Sequence, residues 1–205
     1  MPKQRIISNC MAEQIARVVS VILHPFVIVV ATLGLVLSAS GLERPEWVRW
    51  FLIVLGTTVV PLLARLVLRY WRVGSDFDIF HRNQRNTVYV LAGLCLGVLV
   101  VVVTLFDAPV LLRAMVYAAL PAIVVAAMIN RFTKISVHAM LMAGGGAVTG
   151  LLYPATWIWV IALTGLQGWS RVYLGKHTPT QVMLGWLVGI SAVTAVFARL
   201  ASGYP

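Results

Sequence analysis

The chain has 205 residues, of which 60% are hydrophobic and 11% charged, and its mean hydropathy is +0.93. These values exclude an ordinary soluble globular domain and indicate an integral membrane protein. The net charge of +10 comes from basic residues scattered between apolar runs. This distribution argues against a nucleic-acid-binding surface and favours the membrane surface or an anionic ligand as the partner.

Apolar runs bounded by charged or turn residues predict up to seven transmembrane helices. A bilayer core about 30 Å thick requires roughly 20 apolar residues for each helical crossing. The continuous Val, Leu, Ile and Ala runs lack the alternation of a membrane β-barrel. We therefore predict one all-α integral membrane domain, residues 1–205, with a polytopic bundle of six to seven transmembrane helices. The predicted spans are 16–39, 48–70, 88–106, 109–130, 135–153, 155–173 and 179–200.

Two of these spans contain unusual residues. His24, beside Pro25 in the first span, is an ionisable residue at membrane depth and therefore a functional candidate. The structural alternative is one hydrogen bond beside a proline kink, which we favour. In the fifth span, Gly144, Gly145 and Gly146 predict close helix packing rather than a phosphate-binding loop.

Three polar segments, 71–87, 131–138 and 171–177, are predicted to lie on one membrane face, because a helical hairpin separates each from the next. The positive-inside rule assigns this face to the cytoplasm, and we expect the inner (plasma) membrane of a bacterium. Cations that serve a ligand would give the same signal. The polar residues of these segments include Arg72, Asp76, Asp78, His81, Arg82, Arg85, Arg131, Lys134, His138, Arg171, Lys176 and His177.

The stretch Ser170 to Gln181, SRVYLGKHTPTQ, gathers polar groups in an otherwise apolar chain. With the histidine of KISVH, it supplies what phosphoryl transfer from a lipid requires. Guanidinium groups bind phosphate oxygens in bidentate geometry and neutralise their charge. One imidazole can attack phosphorus, and a second can protonate the leaving oxygen. The two histidines, His138 and His177, are each predicted near a helix N-terminus, which favours an anion.

This stretch resembles the third motif of the type 2 phosphatidic acid phosphatase superfamily, membrane lipid phosphatases that share a helical core with glucose-6-phosphatase and vanadium haloperoxidases. That motif is Ser-Arg, five residues, His, three residues, Asp. Ser170, Arg171, His177 and Gln181 have this spacing, with glutamine in place of the aspartate.

The other two motifs of the family are degenerate here. The second motif is Pro-Ser-Gly-His, of which the chain keeps Ser136 and His138. The first motif is Lys, six residues, Arg-Pro; Arg85 matches the arginine, Asn86 replaces the proline and Asp78 replaces the lysine. The sequences KISVHAM, GKHTPTQV and HPF are similar to a divergent bacterial branch of the superfamily.

The resemblance implies a phosphatase that uses neither a metal nor another cofactor. His177 would form a phosphohistidine and His138 would be the general acid. The implied phosphate ligands are Arg171, Arg85, Arg82, Lys134 and Ser136. Gln181 would orient His177 without supplying the charge of the family's aspartate, unless Asp78 or Asp76 supplies it from another loop. The segment from Thr178 to Gln181 also has the pattern of a helix capping box.

We therefore expect a membrane phosphatase acting on a lipid phosphate or a prenyl diphosphate. A homo-oligomer is compatible with this expectation. One alternative is a catalytically weak relative that binds anionic lipid or is a structural subunit of a membrane complex. Another is a Mg²⁺-dependent prenyl-transferring enzyme that uses Asp76 and Asp78, whose carboxylates suit that ion. The simpler role of these two carboxylates is pairing with Arg82 and Arg85.

Overall fold

A computed structural model of the chain describes residues 2–73 and 82–201. It is 87% helical and contains no strand in these ranges, which confirms the all-α prediction. A π-helical turn at Leu55–Val59 joins α3 to α4, and another at Val193–Phe197 joins α9 to α10. The helices are α1 (Pro2–Ile22), α2 (Pro25–Ala39), α3 (Arg44–Val54), α4 (Val60–Val73), α5 (Arg82–Leu105), α6 (Val110–Ile129), α7 (Val137–Leu152), α8 (Trp157–Tyr173), α9 (Pro179–Ala192) and α10 (Ala198–Ala201).

Several helices are long and apolar enough to cross a bilayer, so the chain is an integral membrane protein. Four of them qualify within the described residues: Arg44–Leu68, Arg85–Leu105, Val110–Ile129 and Pro179–Phe197. A fifth crossing would be the pair Met11–Ile22 and Pro25–Ala39, which is bent by 46°.

The predicted number of six to seven spans is not confirmed. The helices α7 and α8 have 16 and 17 residues. At 1.5 Å per residue they reach about 24–26 Å, short of the roughly 30 Å of a bilayer core.

The described residues form two compact units. The first unit comprises Met1–Thr32 and Thr133–Ser191, and the second comprises Leu33–Phe132 and Ala192–Pro205. In the second unit α5 packs on α6, which also contacts the π-helical turn Val193–Phe197 and α10.

In the first unit α7 is the central helix, and its three consecutive glycines face three different neighbours. A Cβ atom on Gly144 would lie 3.5 Å from a backbone oxygen of α9. A Cβ on Gly145 would lie 2.6 Å from a side chain of α2, and one on Gly146 would lie 2.7 Å from a side chain of α8. The neighbouring residues are, in that order, Gly189, Thr32 and Val160. The prediction of tight packing is confirmed, because a side chain at Gly145 or Gly146 would displace its neighbour.

The short connection Pro154–Thr156 joins α7 to α8, and these two helices pack against each other. The carboxyl end of α8 therefore lies at the end of the first unit where α7 begins. This arrangement brings the residues of KISVH and SRVYLGKH to one end, as the predicted hairpin required.

Candidate active site

The turn between α8 and α9 sets the distance between Arg171 and His177. Gly175 has φ +65°, a left-handed conformation that glycine adopts without a side-chain penalty. Its N–H donates to Val172 O at 3.0 Å, and the N–H of Lys176 donates to Arg171 O at 3.1 Å, which together form a Schellman motif. The N–H of His177 donates to the same carbonyl at 3.2 Å. The five residues that separate Arg171 from His177 in the motif are therefore those that form the C-terminal cap of α8.

Gln181 connects α9 to the His177 ring. Its Oε1 accepts from the N–H of Thr178 at 3.3 Å, and its own N–H donates to Thr178 Oγ1 at 3.3 Å. These reciprocal bonds are the predicted capping box. The same Oε1 lies 3.1 Å from Nδ1 of His177. One oxygen atom therefore both caps the helix and orients the imidazole.

The capping box also assigns the tautomer of His177. Because the backbone N–H of Thr178 is a donor, the Gln181 atom that it contacts is the carbonyl oxygen rather than the amide nitrogen. Nδ1 of His177, 3.1 Å from that acceptor, therefore carries the hydrogen. A neutral ring with hydrogen on Nδ1 presents an unprotonated Nε2, the atom that a nucleophilic histidine needs.

The loop before α7 is bonded to this turn. The N–H of Ser136 donates to Gln181 O at 3.2 Å, and Nζ of Lys134 donates to Lys176 O at 2.9 Å. Ser136 is fully buried, and its Oγ accepts from the N–H of Ala139 at 3.3 Å as the N-cap of α7. The backbone of Ser136 and the side chain of Lys134 thus hold the two loops together, and the predicted contact of both residues with phosphate stays a prediction.

The helices α2, α7 and α9 all begin at this end of the first unit. His138 is the second residue of α7, and its ring lies perpendicular to that of His24, which directly precedes α2. The two ring centroids are 5.3 Å apart. The hydrogen bond between Ser136 and Gln181 brings the first turn of α9 to the same place. The starts of three helices therefore lie close together, and the positive ends of their dipoles favour an anion nearby.

Arg171 is the most buried cation of this group. It is only 3% exposed, and its Nη1 donates to Oγ of Ser20 in α1 at 2.9 Å. The sequence of the first unit contains one acidic residue, Glu13, whose carboxylate pairs with Arg17 at 2.6 Å. The basic end of this unit is therefore not neutralised by carboxylates of its own sequence, and its electrostatics favour an anionic ligand.

Arg85 belongs to the second unit, near the start of α5. Its Nε donates to Oδ1 of Asn130 at 2.9 Å, and Nδ2 of Asn130 donates to Oδ1 of Asn86 at 2.8 Å. Asn130 follows α6 and is 1% exposed. A buried amide therefore holds the arginine that matches the first motif.

Five residues of the predicted basic face are described only in part or not at all, among them Arg72, whose side chain is outside the description. The backbone of Arg82 begins α5, but its side chain is outside the description, and Asp76, Asp78 and His81 lie outside the described residues. In the parts of the chain that are described, no three His, Cys, Asp or Glu side chains form a group that could hold a metal ion.

Two residues that hold predicted site arginines, Ser20 and Asn130, were not predicted from the sequence. Ser20 lies in the first apolar run, 151 positions from Arg171, and nothing in the sequence pairs the two. Asn130 could have been recognised from the sequence, because it lies at the end of an apolar run and directly before a basic segment. A polar amide that is buried at such a place needs hydrogen-bond partners.

The comparisons with known proteins agree with the motifs. Residues 112–202 match the model of the PAP2 superfamily, which confirms the resemblance to the type 2 phosphatidic acid phosphatases. A segment of 54 residues is 43% identical to a protein of Sulfolobus acidocaldarius described as undecaprenyl-diphosphatase. This segment is 25% of the present chain and spans about a quarter, 26%, of that relative. No solved structure matches the chain significantly.

Proposed function

We propose that this chain, a PAP2-superfamily protein by the match of residues 112–202, is a membrane phosphatase that hydrolyses a lipid phosphate or a prenyl diphosphate. One observation carries the proposal. His177 has its Nδ1 beside Gln181 and its backbone bonded to Arg171, so that a nucleophile and a phosphate-binding cation are held in one turn.

The first chemical step is transfer of a phosphoryl group to His177. Its Nε2 attacks phosphorus while the bond between phosphorus and the leaving oxygen breaks. His138 gives its proton to that oxygen, so that the lipid leaves as an alcohol, or as a monophosphate when the substrate is a diphosphate. Arg171 stabilises the negative charge of the phosphoryl oxygens, and the positive ends of the helix dipoles at the starts of α7 and α9 add to this effect.

The second step is hydrolysis of the phosphohistidine. Water attacks phosphorus, His138 accepts a proton from that water, and the bond between Nε2 and phosphorus breaks. Inorganic phosphate leaves, and both histidines return to their starting protonation states. Gln181 holds Nδ1 throughout, in the place where the family has an aspartate. Because an amide cannot neutralise an imidazolium, we expect slower turnover than in relatives that have the aspartate.

Two observations support a lipid substrate, the membrane-spanning helices of the chain and the description of the relative. The chain is an integral membrane protein, and the relative is described as an undecaprenyl-diphosphatase. A prenyl diphosphate would also bring two phosphates to the basic end of the first unit. Arg85 and Arg82 stay predicted phosphate ligands, Asp78 a predicted orienting residue, and the cytoplasmic side of a bacterial inner membrane a predicted location.

The alternative function is binding of anionic lipid without turnover, alone or as a subunit of a membrane complex. The neutral Gln181 beside His177 favours this alternative, since the imidazolium lacks a carboxylate partner there. The two functions differ in their response to mutation. A phosphatase loses turnover in His177→Ala and keeps its fold, whereas a lipid-binding protein keeps its affinity in His177→Ala and loses it in Arg171→Ala.

The deciding experiment measures phosphate release by the detergent-purified full chain. The panel contains phosphatidic acid, phosphatidylglycerophosphate, prenyl phosphates and prenyl diphosphates, each with and without a chelator. The variants are His177→Ala, His138→Ala and Arg171→Ala, beside Arg49→Ala as a matched control. Arg49 is exposed and pairs with Glu46 at 3.0 Å in the second unit.

We expect chelator-resistant release that falls at least about 10³-fold in His177→Ala and is unchanged in Arg49→Ala. Acid-labile ³²P on the wild type, but not on His177→Ala, would identify the intermediate. No release from any substrate by folded protein would overturn the phosphatase, and release abolished by the chelator would favour the Mg²⁺-dependent alternative.

A further inference from the structure

We infer that Gln167 and Thr164 form a buried polar site that holds water inside the first unit, and that this water positions the guanidinium of Arg171. The second half of the inference rests on the proposed function, in which Arg171 binds phosphate. The carrying observation is the side chain of Gln167. It is fully buried, and neither its Oε1 nor its Nε2 has a hydrogen-bond partner among the described residues.

The three side chains lie on one face of α8. Thr164, Gln167 and Arg171 follow one another at intervals of three and four residues, the spacing of neighbours along a helix. Oγ1 of Thr164 lies 3.7 Å from the position that a Cβ on Gly146 of α7 would occupy. Ser20 of α1 reaches the same face, since its Oγ accepts from Nη1 of Arg171. The polar face of α8 is therefore turned toward α1 and α7, and α8 packs on both.

Thr164 has an unmatched hydroxyl on this face. A threonine in a helix often donates to the carbonyl oxygen four residues earlier, as Thr104 and Thr149 do at 2.6 and 2.9 Å. Oγ1 of Thr164 is buried and has no such partner in the described part of the chain. The same holds for the indole Nε1 of Trp186, whose ring packs against Gly168 in α8. Because buried polar groups in native proteins are bonded with few exceptions, these atoms require a partner from outside the chain.

The chemistry of these groups selects water as that partner. Oε1 of Gln167 needs a donor, and its Nε2 needs an acceptor. A phosphate dianion offers only acceptors, and a lipid tail offers neither. A water molecule offers both, and a buried water makes about three hydrogen bonds to polar groups that the protein leaves unmatched. The side chains of Gln167 and Thr164 together supply three such atoms.

The water links Gln167 to Arg171. Helical side chains lean toward the N-terminus of their helix, so the stem of Arg171 passes over the turn that contains Gln167. Because a guanidinium group only donates, one water molecule can accept from it and donate to Oε1 of Gln167. Ser20 holds Nη1 from α1 at 2.9 Å, and the water holds the group from α8. A guanidinium held from two sides keeps the orientation that bidentate binding of phosphate requires.

This positioning has a specific kinetic consequence. Gln167 does not touch the substrate in this mechanism, and its loss leaves both proposed catalytic histidines in place. It loosens the group that binds phosphate. Substitution of Gln167 should therefore raise KM and weaken the binding of inorganic phosphate more than it lowers kcat.

The first test detects the water and does not depend on turnover. The sequence contains five glutamines, so ¹⁵N-glutamine labelling of the full chain in detergent gives few side-chain amide signals, and Gln167→Met assigns that of Gln167. We expect a nuclear Overhauser cross peak between this amide and a long-lived water molecule. The peak should persist in Thr164→Val, which removes a hydroxyl hydrogen that could relay the signal.

The second test measures the effect on phosphate binding. Gln167→Met keeps a similar volume and removes the amide. We expect a melting temperature close to that of the wild type, a KM and a Kd for inorganic phosphate about five- to tenfold higher, and a kcat within about threefold. Thr149→Val is the matched control. Thr149 lies in α7 of the same unit, and its hydroxyl donates to the carbonyl oxygen of Gly145 at 2.9 Å, so this variant should leave KM unchanged.

Two sets of outcomes would overturn the inference and leave the phosphatase intact. Absence of the cross peak in the folded wild type, or its loss in Thr164→Val, would overturn the water site. Unchanged KM and phosphate affinity in Gln167→Met would overturn the positioning role. A fall in kcat as large as the fall in phosphate affinity, together with a lower melting temperature, would assign Gln167 to packing and would also overturn that role.

Failure of the proposed function gives a different result. A wild type that releases no phosphate but shows the cross peak would overturn the phosphatase and leave the water site in place. The Kd of Gln167→Met for inorganic phosphate then still decides whether the water positions Arg171.

Discussion

The backbone N–H of His177 donates to the carbonyl oxygen of Arg171 at 3.2 Å. The proposed nucleophile and the proposed phosphate ligand are therefore joined by the main chain, through the cap of one helix. Any change that unwinds this cap moves His177 relative to Arg171. The cap depends on Gly175, whose φ of +65° most side chains avoid.

Gly175→Ala should therefore weaken both stability and turnover. No atom lies within 4 Å of the position that a Cβ would occupy, so the penalty is conformational, about 1 kcal/mol. We expect a melting temperature a few degrees lower and a kcat reduced by about tenfold, because His177 shifts. Gly175→Asn is the control, since asparagine tolerates this conformation and should retain more of both. Equal losses in the two variants would contradict a conformational cause.

Gln181→Glu tests the missing carboxylate. Glutamate keeps the capping box with Thr178 and places a charge beside Nδ1 of His177, which is now 3.1 Å from Oε1. Because the charge stabilises the imidazolium, we expect kcat to rise about tenfold. Gln181→Leu should lose turnover and about 1 kcal/mol of stability, since it removes the bond to His177 and one half of the cap. An unchanged kcat in Gln181→Glu would show that His177 requires orientation by residue 181 but not a negative charge there.

The sequence was most informative where function depends on local structure. The capping box from Thr178 to Gln181 lies within four residues, and the structure has its two hydrogen bonds. The packing of the glycines at 144–146 was also predictable, because small residues in an apolar helix indicate close neighbours.

Long-range partners and the number of spans were not predictable in the same way. Ser20 and Arg171 are 151 positions apart, and only tertiary packing of α1 on α8 brings them together.

The first predicted span, 16–39, is interrupted at Leu23 and His24, where Pro25 starts a new helix. Hydropathy does not show this break, since apolar residues continue on both sides of it, and only Pro25 indicated a kink there. The 16 residues of α7 are too few for a full crossing, although their composition matches a span.

Ser20→Ala should destabilise the first unit by about 1–3 kcal/mol. It removes the acceptor of Nη1 of Arg171, and a buried charged donor that loses a partner is costly. We expect a lower melting temperature by tryptophan fluorescence and a KM raised several-fold, because the guanidinium loses its fixed orientation. Ser40→Ala is the control, since Oγ of Ser40, directly after α2, donates to the carbonyl oxygen of Val36 in that helix at 2.8 Å. Equal melting temperatures in both variants would rule out the structural role of Ser20.

Asn130→Ala should destabilise the second unit by about 1–3 kcal/mol, because this 1% exposed amide bonds both Arg85 and Asn86. Asn130→Asp keeps the acceptor for Arg85 and loses the donor to Asn86, and it should be less damaging. If Arg85 also binds phosphate, Asn130→Ala should raise KM more than Asn130→Asp does. Equal KM values, together with the expected loss of stability, would limit Asn130 to a structural role.

Gly189→Ala should be among the most destabilising single-methyl changes in the chain. A Cβ there would overlap the carbonyl oxygen of Met140 and would lie 2.9 Å from the backbone nitrogen of Gly144, so α7 and α9 would have to separate. Both helices begin at the site, and their separation would strain the bond from Ser136 N to Gln181 O. Overpacking of this kind costs about 1–3 kcal/mol. Turnover should therefore fall together with the melting temperature.

Gly165→Ala is the matched substitution for Gly189→Ala. Gly165 lies in α8 of the same unit, and nothing lies within 4 Å of its Cβ position. Alanine has the higher helix propensity, by about 0.8–1.0 kcal/mol in water. We expect an unchanged or slightly higher melting temperature and full turnover. A loss as large as that of Gly189→Ala would show that overlap with the backbone of α7 is not the cause of the loss in Gly189→Ala.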